Sequence, residues 1–212
     1  VHQPFSTLIR LPRATQLRYL CRRAQSGPTS RRAVIHLVDG TTAGGVMGVL
    51  DHIVTVPGLS AGARHRVQMV EPRRLQMRRL RAGVIVSHLP IDWRNMPMPV
   101  ALPASNPAKP LVHVEHRCGE GFVALHVIHP KRSNTLVRLA CAFDRVLAVS
   151  HAQGRLLADR GHVRKDALRV IQSCIDLSAF RNITEKRRAV PVIGATGRLD
   201  TQKGSDTLIA AV

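Results

Sequence analysis

The chain has 212 residues, 44% of them hydrophobic, and a formal net charge of +19. That length suits one good-sized domain, or one domain plus a piece of another; the apolar content excludes disorder throughout, and no run of 18 apolar residues offers a membrane-spanning helix. The charge invites a nucleic-acid reading, but the basic residues are mostly Arg and spread along the chain, and 3% aromatics leave no stacking platform for single strands.

Residues 1–32 read as a basic extension, with a short amphipathic helix around Leu17–Cys21 and a linker at Gln25–Ser30. A regular alternation starts at Ala33. Ala33–Val38 is an apolar run of strand length, followed by a turn over Asp39–Gly45. Val46, Val49, Leu50 and Ile53 then recur at i, i+3, i+4 and i+7, which marks one face of a helix. Arg66–Val70 reads as a second strand. Pro72 suits the first turn of a helix carrying Leu75 and Leu80, and Gly83–Ser87 is a third strand. Six prolines between Pro90 and Pro110 predict an irregular excursion with at most short helical turns.

Leu111–His116 is the fourth strand, and Leu136, Leu139, Ala140 and Phe143 again have helical spacing. Arg145–Val149 is the fifth strand. Ser150 and Gln153 form a capping box at the start of the next helix, which Gly161 is placed to end. Leu168–Ile171 is the sixth strand; residues 177–190 look like an interdomain linker; Pro191–Ala195 is a further strand, leading to a helix from about Gly204. The expected organisation is a basic extension (1–32), a first domain (33–176), the linker (177–190) and the start of a second domain (191–212). Strands alternating with helices imply an α/β fold, a Rossmann-like doubly wound parallel sheet followed by an incomplete second Rossmann-like domain. Ligands of such sheets bind at the carboxyl ends of the strands, so the loops after Val38, Ser87, Val114, Val149 and Ile171 should face one crevice.

Candidate site residues follow from that geometry. Gly44 and Gly45 sit between a strand and a helix, where bare backbone can approach a phosphate. The spacing fits neither the dinucleotide fingerprint nor a P-loop. In His113-Val114-Glu115-His116, alternation puts His113 and Glu115 on one sheet face and His116 on the other, which excludes a compact His-Glu-x-x-His metal site. Arg198 and Lys203 flank a turn entering a helix, a pattern that suits a diphosphate clamp. The four cysteines match no zinc spacing and read as small core fillers in a reducing compartment. With no secretory-type apolar core near the start, the expectation is a cytoplasmic protein, touching the inner face of an anionic membrane peripherally.

In combination these segments resemble glycosyltransferase family 4, of the GT-B fold. Val34–Ile53 with its Thr-Ala-Gly-Gly resembles the family's opening strand, loop and helix. Val112–Phe122 resembles its strand ending in histidine, and Asp144–Leu157 its Asp-x-Val-x-Ala-Val-Ser-x-Ala segment. Val170–Phe180 and Val192–Ile209 resemble the segments on either side of the domain junction, the last carrying Gly-Arg-Leu and Gln-Lys-Gly. Two departures stand out: Ser173-Cys174 replaces an Asn-Gly, and Arg117 replaces a residue that is often small and polar.

The resemblance implies transfer of a hexose, with retention, from a nucleotide-sugar donor to a glycan or lipid-linked acceptor, with no cofactor and no bound metal. His116 would contact the transferred sugar as the catalytic histidine. Gly44, Gly45, Arg198 and Lys203 would hold the donor diphosphate, and Glu115 and Ser150 would contact acceptor or sugar. The family's Glu-x7-Glu motif is expected beyond residue 212, so the chain is read as truncated and inactive alone. Two other readings remain open on sequence: a non-enzymatic basic Rossmann-like domain binding nucleic acid or anionic membrane, and an acceptor-binding half working with a separate second-domain protein. No specific nucleic-acid partner is expected.

Overall fold

A computed structural model of the chain describes residues 32–39, 45–56, 58, 62–71, 79–93, 95–117, 135–173, 193–196 and 204–211. Val1–Ile175 and Asp176–Val212 form two compact units. The first unit carries a six-stranded sheet: β1 (Arg32–Val38), β2 (Ala63–Met69), β3 (Val84–Ser87), β4 (Leu111–Glu115), β5 (Arg145–Ala148) and β6 (Leu168–Val170). Every pairing is parallel, and the order is β2-β1-β3-β4-β5-β6. The strand order reverses between β1 and β3, so the topological switch point lies there. This is the α/β, Rossmann-like arrangement expected.

The central strands β1, β3 and β4 are short, largely apolar runs, as suits a parallel sheet covered on both faces, whereas edge strand β2 carries Arg64, His65 and Arg66. Register assigns the faces. Val38 of β1 and Val67 of β2 pack with Met47 and Leu50 of helix α1 (Gly45–Thr55). Ile35 and Leu37 face the other way, into a larger cluster with Ile85, Leu89, Leu102, Leu111, Phe143, Val146 and Leu157. Helix α1 is apolar nearly all round, so its buried stripe could not be fixed by periodicity alone. The structure buries Met47 and Leu50 with Val46 and Val54 packed beside them, while Val49 and Ile53 are only half-buried. The face is turned by about one residue, roughly 100°, from the one expected.

The proline-rich stretch differs from expectation. Pro97–Ser105 is a nine-residue helix, α2. Pro97 and Pro99 occupy N1 and N3, where an amide has no intrahelical acceptor to lose. Only Pro103, inside the helix, deletes a bond that would have formed. The C-terminal end is closed by Asn106, whose amide donates to the Leu102 and Pro103 carbonyls.

Residues 135–138 are helical and run into a 3-10 turn at Leu139–Ala142. Helix α3 (His151–Asp159) is capped by Ser150, whose Oγ accepts from the Gln153 amide at 3.2 Å. The Gln153 side chain accepts from the amide of Val149 at 3.0 Å, one residue before the cap itself. Gly161 follows the end of α3, but for a different reason than expected. The left-handed residue there is His162 (φ 55), whereas a Cβ on Gly161 would lie 2.5 Å from the Leu157 carbonyl oxygen. Glycine is needed at 161 for close approach.

Cys141 is exposed rather than a core filler, and its thiol donates to the Gly161 carbonyl; Cys21, Cys118 and Cys174 lie outside the described residues. So do the amphipathic helix expected at Leu17–Cys21 and most of the helix expected from Pro72. In the second unit, Ile193–Thr196 are exposed and carry no strand, contrary to expectation, while helix α4 spans Ser205–Ala211. A strand needs a ladder partner for its amides and carbonyls, and the described residues of that unit offer none. Among the described residues no helix is long and apolar enough to cross a membrane.

Candidate active site

The site is set by how four strands are staggered. Paired residues of a parallel sheet share a face. His36 of β1 is opposite Val67 of β2 and Val86 of β3, and Val86 is opposite Val112 of β4. Counting by twos places His65, His36, His88 and His116 on one face, the face that α1 covers. The register also staggers them: His65 is opposite Val34, two residues before His36, and His36 is opposite Val86, two residues before His88. Each step moves one strand across and two residues along. The result is a diagonal row of four imidazoles climbing towards the carboxyl ends of the strands.

The rings touch in sequence. His65 Nδ1 lies 2.9 Å from His36 Nε2. His36 Nδ1 lies 3.0 Å from His88 Nε2, and His88 Nδ1 lies 3.0 Å from His116 Nε2. Ring centroids are 5.2, 5.2 and 5.3 Å apart along the row. His36 and His88 are buried, at 3% and 4% exposure.

A charged imidazole is costly there. Burial, with the neighbouring His65, lowers the pKa of His36 from 6.5 to about 3. Burial is also the first cause at His88, which lies well below its ordinary value with His36, His116 and His113 pushing the same way. Burial lowers His65, and it lowers His116 to about 4; Glu115 works against that shift while His113 and Arg117 add to it. The whole row is therefore neutral at pH 7.

On the opposite face, His113 and Glu115 form a second group. His113 Nε2 is 3.3 Å from Glu115 Oε2, and the His113 ring stacks on Phe143. Glu115 Oε1 accepts from the Arg117 amide at 2.7 Å. Glu115 is 2% exposed, so its carboxylate is satisfied locally and braces the turn that carries His116 and Arg117.

A small, open cleft lies at these strand ends. Val46 at the start of α1, His88-Leu89-Pro90 after β3, and Val114 to Arg117 at the end of β4 line it. His116 and Glu115 are thus brought to one cleft, beside the residue that follows Gly45. Gly45 is exposed, and a Cβ there would meet nothing within 4 Å among the described residues, so packing does not demand glycine at that position. Ser150 is spent on capping α3 and is not among the lining residues. Of the five loops expected to share one crevice, those after β3 and β4 line this cleft among the described residues, and most of those after β1 and β6 lies outside them. Gly44, Arg198 and Lys203 lie outside the described residues. Among those residues no three His, Cys, Asp or Glu side chains converge on a metal position; the imidazoles form a row, not a cup.

The model of Glycosyltransferase Family 4 matches residues 13–179, most of the chain and all of the sheet. The chain belongs to Glycosyltransferase Family 4. No curated protein and no solved structure matches it. Membership makes the protein a glycosyltransferase at the level of the family, with a sugar donor and an acceptor as its substrates in general. In this family-4 domain His116, marked out by sequence, lines the cleft together with His88. His36, His65 and His88 were missed by the sequence reading, as was Arg117 as a cleft residue. The available signal was one histidine in or just after each of four strands, which acquires meaning only once strand order and register are known.

Proposed function

We propose that this chain supplies the acceptor-side domain of a sugar-nucleotide-dependent glycosyltransferase, moving a hexose from a nucleotide sugar to a glycan or lipid-linked acceptor. His116 contacts the transferred sugar, and the start of α1 at Gly45 approaches the donor diphosphate. Arg198 and Lys203 neutralise the leaving diphosphate, with no bound metal required. One observation carries this reading: in a family-4 chain, the start of α1 and His116 line a single cleft beside the β1/β3 switch point. A neutral imidazole there can hydrogen-bond a sugar hydroxyl or a phosphate oxygen without trapping an anion. Charge developing on the departing diphosphate is then met by preorganised cations.

The test is a titration of the isotope-labelled full chain with a panel of nucleoside diphosphates and nucleotide sugars, followed by backbone and imidazole resonances. Shifts confined to Gly45, Val46, His88 and His116, weakened in His116→Ala, are the expected result. No shift at those residues at millimolar ligand, combined with DNA binding that falls steeply with salt, would replace this reading with a non-enzymatic nucleic-acid-binding one.

A further inference from the structure

The histidine row has a consequence for the cleft that its individual members do not. A neutral imidazole has one N–H and one bare nitrogen, so each ring can donate to one neighbour and accept from the other. With contacts running from Nδ1 of one ring to Nε2 of the next, only two self-consistent states exist. Either all four rings carry hydrogen on Nδ1, or all four carry it on Nε2. Any mixture places two N–H groups or two lone pairs face to face somewhere along contacts of 2.9, 3.0 and 3.0 Å.

The far end of the row decides between them. His65 Nε2 is buried and has no hydrogen-bond partner among the described residues. In the all-Nε2 state that atom would be a buried N–H with nothing to donate to, which folded proteins almost never tolerate. In the all-Nδ1 state it is a bare lone pair, the lesser fault. We infer that His65, His36 and His88 are positioning residues that lock His116 in its Nδ1–H form, so that the nitrogen it keeps free of the row is a hydrogen-bond donor. Such a donor would recognise a lone pair on a sugar hydroxyl or a phosphate oxygen. The ligand class rests on the proposed function above; the lock does not.

Ring burial supports the same picture, because a protonated imidazole anywhere in the row would donate from both nitrogens and break the alternation. The charged and titratable groups nearest the cleft end are His113, Glu115 and Arg117. Glu115 meets His113 through one carboxylate oxygen and accepts from the Arg117 amide through the other.

The experiment is long-range proton–nitrogen correlation on the ligand-free full chain labelled at histidine nitrogen, which reports the tautomer of each ring. The expected result at pH 7 is four neutral Nδ1–H rings. An Nε2–H or protonated His116 would overturn the inference without touching the proposed function, which the ligand titration tests separately. The second arm is His65→Glu, a change at the half-buried far end of the row. A carboxylate there can only accept, so it holds hydrogen on His36 Nε2 and turns the row to its all-Nε2 state; the ratio of Nδ1–H to Nε2–H at His116, three rings away, should fall by about tenfold or more, the effect of one hydrogen bond's worth of bias. His65→Phe, which leaves His36 Nε2 as a bare buried end, should keep His116 in its Nδ1–H form. An unchanged His116 ratio in a folded His65→Glu chain would show that the row is packing only.

Discussion

Acid should unfold the sheet domain through its histidines, in a pH range where carboxylates are still ionised. In the native state His36 and His116 hold pKa values of about 3 and about 4, against 6.5 for an ordinary histidine. Between those values and 6.5 the unfolded chain binds protons that the folded chain refuses, so stability must fall as pH drops. From pH 7.5 to 5 the linkage is worth about 2 kcal/mol for each of these two rings, about 4 kcal/mol together. His65 and His88 shift in the same direction and add to it. A domain holds only about 5–15 kcal/mol in total, so the loss is a large share of it. The assay is urea unfolding of the full chain, followed by circular dichroism, at half-unit steps across that range. In His36→Asn, which cannot take up a proton there, the same span should cost about 2 kcal/mol less than in the unaltered chain. A midpoint that stays level from pH 7.5 to 5, or an unaltered slope in His36→Asn, would show that the row is not held neutral by burial.

Three substitutions probe the scaffold by the same urea assay. Gly161→Ala pushes a methyl to 2.5 Å from the Leu157 carbonyl and 2.9 Å from Val137 Cγ1; a loss of about 1–3 kcal/mol is expected. Ser150→Ala removes the cap of α3 and should cost about 1 kcal/mol, with nucleotide-sugar binding otherwise unchanged if the residue only caps. Asn106→Ala deletes a side chain that accepts from the Leu80 amide at 2.9 Å and donates to Leu102, at a site 1% exposed. The orphaned groups should cost about 1–3 kcal/mol.

All six strands and their parallel sense were legible in the sequence, because short apolar runs such as Ala33–Val38 and Arg145–Val149 are separated by helical spacings and turn residues. Boundaries moved by up to three residues: β2 begins at Ala63, since its Arg64 and His65 do not look apolar. Helix α2 was not foreseen, because a count of prolines says less than their positions; two of the three within it stand where an amide is expendable. His116 was legible as the end of a strand. Its partners were not, for a physical reason: His65, His36 and His88 are spread over residues 36 to 88, and only the order β2-β1-β3-β4 with a two-residue stagger makes them neighbours.

That stagger ties the site to the sheet more tightly than a single histidine would be tied. A one-residue slip in any of three strand pairings would put the rings on its two sides on opposite faces and split the row. The register of β1 is fixed independently, by Ile35 and Leu37 in one core and Val38 in the other. The hydrophobic pattern that builds the domain therefore also aligns the imidazoles, and nothing else needs to be specified. The same burial explains how a chain of net charge +19 keeps a neutral site. With the row unable to hold a proton at pH 7, Arg117 is the only cation among the described residues lining the cleft. Glycosyl transfer needs positive charge at the leaving diphosphate more than at the sugar. On the proposed function, the sheet domain then supplies a shaped wall of neutral, hydrogen-bonding imidazoles.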